Sequence, residues 1–195
     1  MVTAFSRRAF LNAWVAAPMS LALAGGASAQ GAPLPSTPAC GPDDDVTPAQ
    51  TEGPFYTPET PERRDFRSDG AGTPVTVFGF VVDPACRPRA NMIVDVWHAD
   101  DAGTYDNSGY AFRGYQVTDG NGRFIFETIV PGRYPGRTRH YHVRIASSAG
   151  VHLTTQLYFP GEPDNDRDGI YDPRLLMDLS EASDGLLGRF DFVLA

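Results

Sequence analysis

From residue 73 onward the chain is written in short runs of β-branched and aromatic residues, each stopped by turn formers, and that rhythm leaves room for little but sheet. The runs cover residues 75–82, 91–98, 112–118, 123–130, 140–146, 152–159 and 189–194. Asp83-Pro84 ends the first and Ala99-Asp100-Asp101-Ala102-Gly103 the second. Asp119-Gly120-Asn121-Gly122 joins the third and fourth into a predicted hairpin. Only residues 173–182 carry the apolar spacing of a helix, and that stretch is short. With 20 glycines and 17 prolines, turns are favoured over long helices. About seven such strands predict an all-β fold: an antiparallel β-sandwich with long loops and at most one short helix. There is no internal repeat.

A chain of 195 residues accommodates one full core and hardly two. All 16 basic residues are arginine, which excludes lysine Schiff-base chemistry and a P-loop lysine. The net charge of −8 argues against nucleic acid, because phosphate contacts need a basic face. It disfavours an anionic membrane surface for the same reason.

Residues 1–29 read as an export signal rather than as part of the fold. Ser6-Arg7-Arg8-Ala9-Phe10-Leu11 supplies a paired-arginine start, an Ala/Leu-rich run follows, and Ala27-Ser28-Ala29 is a small-residue cleavage site. A twin-arginine-type signal is a receptor-read address, and its apolar run is too short and glycine-rich to serve as a membrane anchor. The expected location is therefore periplasmic or extracellular. That export route carries folded proteins, which suits one that takes up a metal beforehand. Residues 30–50 read as an extended Pro/Ala/Gly-rich arm, and 51–195 as the β-sandwich domain. Cys40 and Cys86, the only two cysteines, lie in the exported part. A disulfide between them is the expected state, contributing about 4 kcal/mol in the chain-entropy picture.

The chemistry concentrates in Tyr134-Pro-Gly-Arg137-Thr-Arg139-His140-Tyr141-His142. On a strand His140 and His142 project from one face. A short His-x-His is also compatible with an exposed strand face that holds no metal. Tyr105 follows a strand and a glycine turn, where a loop can aim a side chain back into a site. Two phenols with two imidazoles favour a small, highly charged cation, Fe(III) before Zn(II) or Cu(I). Two phenolates and a hydroxide would cancel its three charges, the imidazoles staying neutral. A two-His, one-carboxylate Fe(II) site fits less well, since no carboxylate stands near the two histidines.

Five landmarks in order carry a resemblance to a known family. They are Thr51-x-Gly53-Pro54-Phe55-Tyr56; Asp95-x-Trp97-x-Ala99-Asp100 with Gly103-x-Tyr105; Phe124-x-Phe126-x-Thr128-Ile129-x-Pro131-Gly132-x-Tyr134-Pro135; Arg137-x-x-His140-x-His142; and Thr155-Gln156-Leu157-Tyr158-Phe159. From about residue 47 to 194 the chain resembles the intradiol ring-cleavage dioxygenases, protocatechuate 3,4-dioxygenase-like and closest in style to short secreted members. The resemblance implies non-haem Fe(III) held by Tyr105, Tyr134, His140 and His142. A catechol-type aromatic substrate would chelate the metal through both oxygens. Tyr134 would leave the metal and help take up a substrate proton. O2 would then attack the electron-rich ring, which opens between its hydroxyls to a muconate-type diacid. Arg137 would stabilise developing negative charge, and Gln156 matches a glutamine near the bound substrate. Some relatives assemble with sites at subunit contacts, so an oligomer is compatible with the resemblance. The absence of a long N-terminal helical segment points away from dimers built on one.

Departures are Thr138-Arg139 before the first histidine and Tyr141 between the two, where relatives carry Pro-Ala and Ile. Alternation turns Arg139 and Tyr141 to the opposite face, although Arg139 bears on substrate polarity. The interval from Tyr105 to Tyr134 is short for the family, so a trimmed hairpin is expected. His98 reads as a packed or capping residue, and His152 as facing solvent or a neighbouring strand. Tyr110, Tyr115 and Tyr158 read as core or edge, and Tyr56 as substrate mouth or plain packing. Asp164-x-Asp166-x-Asp168-Gly169 echoes a calcium loop, but Leu175 stands where the bidentate glutamate belongs, so a solvated acidic loop is expected. Two other classes stay open on sequence: an exported, non-catalytic β-sandwich binding or adhesion module, and a copper or zinc site using the histidines alone.

Overall fold

A computed structural model describes residues 46–195. The export signal, the arm up to residue 45 and Cys40 lie outside the described residues. The chain divides into units of 1–34 and 35–195, and every described residue belongs to the second.

Nine strands are present among the described residues: β1 Pro74–Val82, β2 Ile93–Trp97, β3 Arg113–Val117, β4 Arg123–Ile129, β5 His140–Ser147, β6 Gly150–Tyr158, β7 Asp178–Ala182, β8 Gly185–Arg189 and β9 Phe192–Val193. They form two sheets, ordered β4-β1-β8-β7 with β9 added beside β1, and β3-β2-β5-β6. The fold is the expected all-β sandwich, and the 119–122 turn joins β3 to β4 across the two layers rather than closing a hairpin. β1 runs parallel to β8 and β9; the other pairings are antiparallel.

Side-chain alternation explains the layers. β4 buries Phe124, Phe126 and Thr128 while its intervening residues stay half-buried, as a strand with one covered face does. β1 lies between β4 and β8 and is buried at every position from 77 to 82. Val77, Phe126, Val94, Val96, Tyr141, Val143 and Ile145 meet in one apolar core between the sheets. In β5 the odd positions enter that core, and Tyr141 caps it by donating its hydroxyl to Ile129 O at 2.8 Å. His140, His142 and Arg144 therefore face outward from the second sheet, where loops rather than the opposing sheet cover them.

Residues 61–66 run along the outer edges of both sheets. Arg63 N donates to Tyr115 O and Tyr115 N to Pro61 O on β3, while Phe66 N donates to Glu127 O and Glu127 N to Arg64 O on β4. Two edges that would otherwise expose unpaired backbone are closed by one segment.

Two stretches differ from the sequence expectation. Residues 173–182 do not form a helix: Pro173–Leu175 is a single 3-10 turn and Asp178–Ala182 is β7. Leu175 ends the turn and Met177 lies in the extended segment after it, both buried, so the apolar spacing that resembles a helix spans a turn and a strand approach, with Met177 N donating to Tyr158 O. The 189–194 run begins earlier and breaks into β8 and β9, because Leu186 and Leu187 sit between glycines that mask their strand pattern.

Candidate metal centre

Two loops and one strand start bring four rings together. His140 opens β5, and His142 follows on the same face beside Trp97 of β2 and Gln156 of β6. Tyr105 lies on the loop after β2, and Tyr134 on the loop between β4 and β5. These loops interlock at two glycines. Gly103 has φ +84°, and a Cβ there would stand 2.2 Å from Arg133 O; a Cβ on Gly132 would stand 2.2 Å from Gly103 N. Asp100 O accepts from both Gly103 N (3.1 Å) and Gly132 N (2.6 Å). Only backbone fits in this crossing, and it sets the separation of the two tyrosines.

The ring centres of Tyr105 and Tyr134 are 5.7 Å apart, those of Tyr134 and His140 5.7 Å, those of His140 and His142 4.7 Å, and those of Tyr105 and His142 6.1 Å. His140 Nε2 and His142 Nε2 face each other at 3.1 Å. Tyr105, His140 and His142 are buried, whereas Tyr134 is half-buried and forms the open side. Trp97 stacks on His142 at 4.9 Å and 7°, and Phe55 on Tyr105 at 4.4 Å and 17°. These apolar walls keep the rings dry and in place.

His140 Nδ1 donates to Thr138 O at 2.7 Å, which leaves its Nε2 lone pair facing inward. Burial, then the Arg137 charge, pushes His140 down to about 4. Burial and the neighbouring His140 hold His142 well below the usual imidazole range, so both rings are neutral. Burial and the adjacent Tyr134 push the Tyr105 phenol far above its usual value. Without a cation, then, such a phenol keeps its proton; a buried trication is the partner that would ionise it. Among the described residues no three of His, Cys, Asp and Glu gather to hold a metal, so a carboxylate-rich site is absent from them. Two neutral imidazoles and two phenol rings gather instead, and nitrogen and phenol donors of this kind are chemically suited to Fe(III).

Arg137 stands on the open side. Its Nη1 donates to the Tyr134 hydroxyl at 3.2 Å and its Nε to Asp168 Oδ2 at 2.8 Å, while Nη2 reaches Gln156 Oε1. Gln156 is fully buried and donates through Nε2 to Thr51 O at 3.2 Å. A cleft of about 310 Å³ opens beside Tyr134, lined by Arg133, Arg137, Asp164, Arg167 and Asp168 among others. All of the sequence-predicted site residues thus lie in one neighbourhood.

The expectation of a solvated acidic loop is corrected at Asp168. Its carboxylate is buried, pairs with Arg137 and accepts from Thr138 N (3.0 Å) and Ile170 N (3.1 Å). Asp164 instead pairs with Arg133 and Arg167. Arg139 does not enter the site: it pairs with Glu162 at 3.0 Å and donates to Pro131 O. Tyr158, read from sequence as core or edge, lies 3.5 Å from Arg137 Nη2 and 2.9 Å from Gln50 Oε1. Tyr56 packs on Trp97 and donates to Asp95. His98 is packed, as expected, and His152 meets Ser147 Oγ. Cys86 is disulfide-bonded; Cys40, the other cysteine, is outside the described residues. Phe55 and Trp97 as ring supports were legible only as members of the landmark motifs.

The dioxygenase family model (Dioxygenase_C) matches residues 51–195, and the chain belongs to the intradiol ring-cleavage dioxygenase family. It is 34% identical over 137 residues to the protocatechuate 3,4-dioxygenase beta chain of Burkholderia cepacia, covering 61% of this chain and 57% of that one. It is 28% identical over 173 residues to catechol 1,2-dioxygenase of Acinetobacter baylyi, covering 72% and 56%. The chain therefore spans little more than half the length of these relatives. Among solved structures it is similar to the dioxygenase domain of a dioxygenase–carbohydrate-binding protein fusion from Streptomyces sp. SirexAA-E, with 51% identity and a TM-score of 0.74 over 77% of this chain and 98% of that one. An intradiol ring-cleavage dioxygenase from Tetranychus urticae matches with 25% identity and a TM-score of 0.72, over 77% and 94%.

Proposed function

We propose that the protein is a non-haem Fe(III) dioxygenase that opens catechol-type rings between the two hydroxyls with O2, giving muconate-type diacids. The observation that carries this reading is the convergence of Tyr105, Tyr134, His140 and His142 with the Arg137 guanidinium on the Tyr134 hydroxyl. Those four side chains would hold the metal. Ferric iron held there would supply Lewis acidity toward a catechol's hydroxyl oxygens.

The chain's own groups do the rest. Tyr134 is the half-buried ring, so its oxygen is the one an incoming catechol would meet, and as a phenolate it would accept the catechol's proton. Arg137 holds that oxygen and presents a fixed positive charge toward the open side. Preorganised in this way, it stabilises negative charge developing on the substrate. Gln156 and Asp168 keep the guanidinium from rotating away. Phe55 and Trp97 exclude water from the ring side of the site.

The purified protein, supplied with iron, is expected to be reddish from phenolate-to-iron charge transfer. The band shifts on adding a catechol, and oxygen uptake follows with one or more of catechol, protocatechuate, hydroxyquinol and chlorocatechol. A colourless, iron-free protein overturns the reading and favours a non-catalytic binding module. Export beyond the cytoplasm is proposed on the paired arginines of the leader and on the disulfide at Cys86. The N-terminal sequence of the protein recovered from the periplasm or medium checks it.

A further inference from the structure

Arg113 opens β3 with none of its surface exposed, and among the described residues no carboxylate pairs with it. Its guanidinium is spent on main-chain carbonyls. Nε and Nη2 both donate to Asp106 O, at 3.0 and 2.7 Å, and Nη1 donates to Phe55 O at 2.5 Å. Asp106 directly follows Tyr105 in the chain, and Phe55 is the ring stacked on Tyr105. One side chain thus grips both segments that fix this phenol, and its guanidinium carbon lies 5.9 Å from the Tyr105 ring centre.

The clamp is itself anchored. Arg113 belongs to β3, pairing with Trp97, and its carbonyl accepts from Arg63 Nε at 2.9 Å. On the loop side, the Asp106 carboxylate accepts from the backbone of Ser108, Gly109 and Ala111. The loop from 106 to 111 therefore moves as one piece or not at all. A buried cation hydrogen-bonded to main-chain carbonyls, with Asp106 and Asp95 answering it only through space, is a costly way to fill volume. An apolar chain of similar length would fill the same volume without that penalty, but it would leave the two carbonyls unheld.

We propose that Arg113 is the positioning residue of Tyr105, setting through the Asp106 and Phe55 carbonyls where the phenol oxygen stands relative to His140 and His142. This rests on the proposed function insofar as Tyr105 is taken as an iron ligand. The planar fork matters as much as the charge, because a lysine can reach only one of the two carbonyls at a time.

The test compares wild type with Arg113→Met and Arg113→Lys. In metal-free protein, peptide-level hydrogen exchange is followed over residues 53–56 and 104–111, with residues 141–145 of the core strand as reference. The expected result is exchange faster by about tenfold in the first two segments, with the reference strand unchanged and Arg113→Lys intermediate. In iron-loaded protein the phenolate-to-iron band is expected to shift or lose intensity in the same order. Wild-type exchange in both segments, or a rise shared equally by the reference strand, overturns the proposal, as does an unshifted band of full intensity. Should Arg113→Met fail to fold, Arg113→Lys alone decides on the same readouts. If wild type binds no iron, the dioxygenase reading fails, and the exchange comparison still rules on the clamp.

Discussion

Asp168 accepts from Arg137 Nε at 2.8 Å with only 1% of its side chain exposed, and the same oxygen accepts from Thr138 N. The carboxylate thus links the guanidinium to the backbone two residues before His140. Asp168→Ala leaves a largely buried arginine without its partner, which costs on the order of 3–5 kcal/mol for such pairs. With Arg137 free to turn from the Tyr134 hydroxyl, turnover is expected to fall about 100-fold while iron and colour are retained. Denaturant unfolding and steady-state oxygen uptake measure the two effects. Wild-type turnover in a folded Asp168→Ala protein would exclude the orienting role.

Arg137→Ala separates charge from metal binding. None of the four candidate ligands is removed, so iron content and the charge-transfer band are expected to persist. Turnover is expected to drop by a factor of about 100–1,000, the range for losing one preorganised donor. His142→Ala, by contrast, is expected to lose iron as well as activity, and Tyr134→Phe to keep some iron but turn over poorly. Metal analysis alongside oxygen uptake distinguishes these patterns, and iron-free Arg137→Ala protein would contradict the assignment.

Gly103→Ala tests the loop crossing that spaces the tyrosines. The added Cβ would stand 2.2 Å from Arg133 O in a residue already at φ +84°. Left-handed strain and overpacking together are expected to cost about 2–4 kcal/mol. Because the clash pushes the Tyr105 and Tyr134 loops apart, iron affinity should fall along with the unfolding midpoint. An unchanged midpoint would mean that the loops are not held at this crossing.

What could be read from the chain and what could not divides on physical grounds. His140 and His142 were legible because two residues apart on any strand share a face, whatever that strand pairs with. The same rule turned Arg139 and Tyr141 away, and the structure has them paired with Glu162 and buried in the core. Asp168 was not legible, since its burial comes from Arg137, Thr138 and Ile170, contacts made by loops folding over one another. Arg113 was hidden for a related reason: nothing in its own run signals that its partners are carbonyls at 55 and 106. Residues 173–182 carry helix-like spacing because buried Leu175, at the end of a 3-10 turn, and buried Met177, just before β7, lie close to other apolar residues.

His98 gives the fold a pH dependence with a defined sign. Its Nδ1 donates to Ala99 O at 2.7 Å, and its Nε2 lies 2.7 Å from Thr128 Oγ1 and accepts from that hydroxyl. Full burial pushes the ring down to about 4 from an ordinary 6.5. As pH falls through 6.5 the unfolded chain takes up a proton that the folded chain refuses until about 4. The stability tied to the neutral ring is therefore intact above 6.5 and is lost progressively down to about 4, by up to about 3 kcal/mol. Asp95 acts in the opposite sense, because burial pushes its carboxyl up to about 6. Its contribution is full below the ordinary carboxylate value and fades as pH rises through 6. The two are separated by difference. Urea unfolding of wild type and His98→Asn between pH 4 and 7 should show the wild-type free energy falling more steeply with acid than the variant's. Parallel curves would mean that the histidine takes up its proton equally readily in the folded and unfolded chain.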